Sequence, residues 1–202
     1  MNFPDFFQIL SEKKPGPRIE FELLRGIVDL HHTGVGRITV KYFEDFEGAQ
    51  MGHFIWLDED RTSAYDETFN DAVVFINSKH RNNRPMRRLI AAKELMHVFD
   101  EPGQKADTPE KFKDLLLEIE ANPVAADMSD QYSADRGALW KATLALIPPW
   151  VRDEFRSEWL DGTIKAPELS ARLLLPESAI KAAMGDYYER AMARFLPDWK
   201  KK

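Results

Sequence analysis

An α+β fold, a small three-stranded sheet within a mostly helical chain, follows from three observations in the sequence. Three short apolar segments of strand character fall between residues 37 and 77. Helical spacing precedes them at residues 19–30. It resumes at residue 85 and continues to the C-terminal end, broken only at proline- and glycine-containing junctions.

The elements follow in order. Phe3, Phe6, Phe7, Ile9 and Leu10 form an apolar patch, and residues 12–17, with Pro15-Gly16-Pro17, read as a turn or linker. Residues 1–17 are therefore assigned to an N-terminal extension. The helix over 19–30 stops before Gly34 and Gly36. Residues 37–41 alternate, with Ile38 and Val40 on one side and Thr39 and Lys41 on the other, and predict a strand. Residues 51–57 are apolar up to Asp58. Residues 72–77 form a short β-branched run that suits burial on both faces. Residues 61–71 are polar and read as a loop. Helices are then predicted over 85–99, 110–128, 134–147, 149–160, 167–174 and 176–195. Thr108 is a plausible cap with Pro109 after it, and Asp161-Gly162 is a stop signal.

Composition narrows the functional classes. The chain has 202 residues, enough for one sizeable core. Its net charge of −6 argues against a surface that binds nucleic acid throughout. The absence of cysteine excludes thiolate-ligated metals, disulfide scaffolds and thiol nucleophiles. No apolar run reaches the roughly 18 residues of a membrane span. The first residues lack the pattern of a signal peptide, so the expected setting is the cytoplasm, with no membrane association.

One motif carries chemistry. The helix after the third strand contains Lys93-Glu94-Leu95-Met96-His97. In H-E-x-x-H, two imidazoles at i and i+4 share a helix face and bind one metal, while the glutamate activates a metal-bound water. Glu94 and His97 stand at the matching positions, and Lys93 stands where the first histidine would be. Lys93 and His97 lie 40° apart on the helix, among Met86, Leu89 and Ile90. A cationic stripe in apolar surroundings needs a carboxylate partner. The next predicted helix offers Glu118 and Glu120 in an otherwise apolar stretch, with Glu118 and Asn122 on one face.

These two segments resemble the ImmA/IrrE family of zincin-like metallopeptidases. The resemblance rests on the strand 73–77, on Arg87-Arg88-Leu89-Ile90-Ala91-Ala92, and on Glu94-Leu95 and His97. It also rests on Glu118, Ala121, Asn122, Ala125 and Ala126, in the family's order E-x-x-A-N-x-F-A. It implies a zincin-like domain over 18–130, with residues 131–202 as a helical part packed on it. It implies zinc held by two histidines and an acid, so that His97 and Glu118 (Glu120 as fallback) would be metal ligands and Glu94 the general base. The family's characterised targets are helix-turn-helix repressors. The chain departs from the family at Lys93, at Met96 and at Val124. Pro123 either kinks the second helix or starts a new one after an Asn122 cap.

Lys93 changes the expected chemistry. An ammonium has no lone pair for zinc, and its reference pKa of about 10.4 keeps it charged. The expectation is a site with no cofactor, or only weakly bound zinc, in which Lys93 replaces the metal charge by pairing with Glu118 or Glu120. Glu94 can approach Lys93 but suits the role less well. His31, His32, His53 and His80 read as turn or packing residues rather than substitute ligands.

Three functions follow from this reading. The first is a pseudopeptidase that binds a protein partner, such as a helix-turn-helix repressor, without cleaving it. The second is an active zinc endopeptidase with an altered ligand set. The third is a DNA-binding regulator using the helices around Pro176, although nucleic acid is the less favoured partner. Residues 77–88 are the most basic stretch, read either as a solvated loop or as a contact for an anion or acidic partner.

Overall fold

The computed structural model describes residues 1–44, 51–57, 70–100 and 130–199. Among them the order is α1 (Phe3–Lys13), α2 (Phe21–His31), β1 (Val35–Phe43), β2 (Gly52–Leu57), β3 (Asn70–Asn77) and α3 (Arg84–Met96). These are followed by α4 (Asp130–Leu146), α5 (Pro149–Leu160), α6 (Ala166–Leu173), α7 (Glu177–Met184) and α8 (Tyr187–Phe195). The fold is α+β with a three-stranded mixed sheet. The predicted helix over 110–128 lies outside the described residues.

The central strand explains the sheet. β3 pairs in parallel with β1 and antiparallel with β2, giving the order β1-β3-β2. Ala72, Val73, Val74 and Ile76 are all buried, as the β-branched run in the sequence requires. The registers Ile38↔Ala72, Val40↔Val74 and Phe54↔Val74 set one face of the sheet. Gly52, Phe54 and Trp56 alternate onto that same face. Helix α3 packs against it.

Gly52 permits that close approach. A Cβ there would lie 2.6 Å from Ile90 Cγ2, 2.8 Å from the Phe75 carbonyl oxygen and 3.0 Å from Glu94 Cγ. The strand backbone thus presses directly on the helix beside the motif glutamate.

The N-terminal apolar patch folds as helix α1. The Asn2 side chain accepts from the Asp5 amide at 2.9 Å, and the Asp5 side chain accepts from the Asn2 amide at 3.2 Å, a reciprocal cap. Phe6, Phe7 and Leu10 are then fully buried, and the rings of Phe3 and Phe6 meet Phe99 just beyond α3. One cluster of buried residues runs from Phe3 to Leu196.

The predicted helix over 176–195 is two helices. Gly185 is extended and ends α7. The chain then turns so that Tyr188 is buried and its hydroxyl donates to the Ile147 carbonyl at 2.8 Å. Helices α6 and α7, joined by residues 174–176, bury Leu169, Leu173, Ala179, Ile180 and Ala183 against the core.

Arg88 ties these parts together. Its buried guanidinium donates to the carbonyls of Ile19, Leu173 and Leu174. Burial lowers its pKa to about 10, still well above neutrality. One charged side chain on α3 thus holds the chain before α2 and the end of α6. Arg88→Met should therefore cost about 3 kcal/mol or more, because several buried carbonyls lose a charged donor at once. Chemical denaturation checks this; a loss under about 1 kcal/mol would mean that water replaces the guanidinium.

Candidate functional site

Helix α3 begins with Asn83, whose side chain accepts from the Met86 amide at 3.2 Å, and has Pro85 in its first turn. Its far end carries Lys93, Glu94 and, at the C-cap, His97. The chain continues as a single 3-10 turn, His97–Phe99, which delivers Asp100 back beside His97.

Helix α4 supplies the opposite wall. Ala134, Ala138, Ala142 and Ala145 recur at helical spacing and are buried. Small side chains there let α3 approach closely. Among the polar residues of this helix, Asp135 and Lys141 reach α3 and the turn after it.

Their contacts define the site. Lys93 Nζ donates to Glu94 Oε1 at 3.0 Å and forms a salt bridge with Asp135. His97 Nδ1 is 2.5 Å from Asp100 Oδ2. His97 Nε2 faces Asp135 Oδ1 at 3.6 Å and Glu94 Oε2 at 3.7 Å. Lys141 Nζ donates to Asp100 Oδ1 at 3.1 Å. Glu94 and Asp100 are buried, while Asp135 keeps partial access to solvent.

Burial alone would make His97 less basic. The hydrogen bond to Asp100 and the facing carboxylate of Asp135 outweigh it and raise the imidazole pKa to about 9. Burial also opposes the charge on Lys93, and the nearby Glu94 and Asp135 carboxylates overcome it, holding the ammonium above its ordinary pKa. Asp135 shows the converse. Burial would raise its pKa, but His97 and Lys93 hold it well below the usual carboxylate range. With His97 protonated, the cations Lys93, His97 and Lys141 face the carboxylates Glu94, Asp100 and Asp135 in equal number.

The structure therefore joins three of the residues singled out in the sequence, Lys93, Glu94 and His97. Glu118, Glu120, Asn122 and Pro123 lie outside the described residues. Glu94, given a lesser role from the sequence, is a direct partner of Lys93. Asp135, Asp100 and Lys141 were not anticipated. The available signal was Asp135 and Lys141 interleaved with the alanine spacing of that helix, charged groups near a buried face that need partners just as Lys93 does. Of the other histidines, His32 Nδ1 accepts from the Gly34 amide at 3.2 Å, and the His53 ring stacks on Phe75 at 4.5 Å. His31 and His80 lie at the end of α2 and in the turn after β3.

Among the described residues, those gathered here do not offer zinc a set of free ligands. A catalytic zinc site uses about three protein ligands with free lone pairs. Here the two carboxylates nearest His97 Nε2 are engaged by an ammonium, and the raised pKa of the imidazole favours its protonated form, which has no lone pair to offer. Among the described residues, no three His, Asp or Glu side chains form a metal-holding group. Compared with known proteins, the chain matches no family model, no curated protein and no solved structure.

Two outcomes are expected. Lys93→Met should destabilise by about 2 kcal/mol, less than for a fully buried pair because Asp135 is partly solvated. Lys93→Met combined with Asp135→Leu should recover most of that loss, which a double-mutant cycle by urea denaturation measures.

The second concerns pH. The His97 pKa is higher folded than unfolded, so its contribution is complete below about pH 6.5 and is lost as pH rises through about 9. Asp135 has the opposite sign, and its contribution is lost as the solution is acidified below the ordinary carboxylate range. Stability should fall between neutral and alkaline pH, and His97→Gln should flatten that fall. An NMR titration of the His97 ring with a midpoint near 6.5 would contradict this assignment.

Proposed function

We propose that this protein is a zincin-like pseudopeptidase of the ImmA/IrrE type, which binds a protein partner without cleaving it. The observation that carries the reading is the Lys93 ammonium shared between Glu94 and Asp135, beside His97. A fixed monovalent cation stands among the side chains that would otherwise surround a divalent one. It neutralises the acids without needing a metal, and it cannot polarise a carbonyl or generate hydroxide as a metal does.

The order of elements supports the same reading. A small sheet precedes the motif helix, and that helix packs on the sheet next to the edge strand β2. Asp100 holds the His97 ring by Nδ1 and turns Nε2 toward Glu94 and Asp135. This is the arrangement that outer carboxylates impose on metal-ligating histidines. On this reading the histidine keeps the posture of a ligand, while its neighbour has become a lysine. The partner class, a helix-turn-helix repressor, comes from the family resemblance alone.

The deciding measurement is metal content together with proteolysis. The purified protein should hold far less than one zinc per chain and should leave an unfolded protein substrate uncut. Lys93→His should bind zinc at least about tenfold more tightly than the wild type, with dependence on His97 and Asp135. Stoichiometric zinc in the wild type, lost on His97→Ala, would overturn the proposal in favour of an active metallopeptidase.

A further inference from the structure

We propose that the turn between β3 and α3 is a docking surface for an acidic peptide segment of a partner protein, read by Arg81, Arg84 and Arg87. Residues 78–88 contain Lys79, Arg81, Arg84, Arg87 and Arg88 with no Asp or Glu, in a chain whose net charge is −6. Arg88 is used internally. Arg81 and Arg84 are exposed and Arg87 is half-buried. None of these three forms an ion pair with a carboxylate among the described residues.

Two of the guanidinium groups are held in place. Arg81 lies over the Tyr42 ring, 4.7 Å from its centroid. Arg87 Nη1 donates to the Arg81 carbonyl at 2.8 Å, which folds its side chain back toward the same turn. Each keeps further N–H groups for a ligand. Arg84 opens α3, where the helix dipole adds positive potential. Guanidinium forks fixed before binding favour bidentate carboxylate contacts and lose little freedom on association.

The charge balance favours an acidic peptide over a nucleic acid. Apart from this turn the chain is more acidic than its net charge indicates, so a long polyanion that extends past the turn meets a protein of net negative charge. A short acidic segment can be confined to the turn itself. This inference does not depend on the state of the Lys93 site.

Fluorescence anisotropy tests it, using a fluorescein-labelled decapeptide of alternating Glu and Gly and, in parallel, a labelled duplex DNA. The wild type should bind the peptide at low salt, more tightly than the duplex, and lose it as salt rises. Arg81→Glu with Arg84→Glu should weaken binding about tenfold or more while thermal unfolding stays cooperative. Arg81→Lys with Arg87→Lys should weaken it severalfold at unchanged charge, because lysine lacks the planar fork. Absence of peptide binding, equal binding by the lysine or glutamate variants, or tighter arginine-dependent binding of the duplex would each overturn the proposal.

Discussion

The paired exchange of charge between α3 and α4 is the constraint around which the site is built. Lys93 of α3 reaches Asp135 of α4, and Asp100, just after α3, receives Lys141 of α4. Cation and acid change sides between the two contacts. Position 93 meets 135 and position 100 meets 141, so the two segments run in the same sense. Sliding one past the other would separate both pairs together and leave buried charge uncompensated. The alanine stripe of α4 brings the helices near enough for these side chains to meet, and the pairs then fix the register.

This arrangement also organises the sheet side. Glu94 neighbours Lys93 on the helix and takes part in the charge cluster, yet its stem lies against the backbone of β2 at Gly52. Arg88, two turns earlier, donates to carbonyls at the start of α2 and the end of α6. Helix α3 thus carries a buried charged side chain with polar partners in each direction. That explains why a helix with so many charged residues is largely buried. Arg88, Lys93 and Glu94 are internal fastenings, while at its first turn Arg84 is exposed and Arg87 half-buried.

Much of this could be read from the chain. The apolar period from Pro85 onward locates α3, and the β-branched run 72–77 identifies the central strand. The apolar setting of Lys93 and His97 announces that a carboxylate must approach. What local pattern does not supply is which one. Asp135 lies 42 residues along from Lys93, and only the same-sense packing of α3 on α4 joins them. Helical periodicity gives a face but no partner and no direction. The break at Gly185 escaped for a related reason. The apolar spacing continues through it, and it is the buried Tyr188, anchored to Ile147, that makes a bent path better than a straight one.

Gly52 has one further consequence, for how β2 is aligned. Successive strand residues face opposite sides of the sheet. A slip by one position would bring a neighbouring side chain onto the helix-facing site that Gly52 fills with only a hydrogen. Either neighbour, Met51 or His53, would collide with Ile90 and with the Phe75 carbonyl. A slip by two would bring Phe54, which is larger than the gap as well. The missing side chain thus acts as an alignment pin. Of the residues along this strand only glycine can occupy that point, so the pairing of β2 with β3 is set by the helix lying across them.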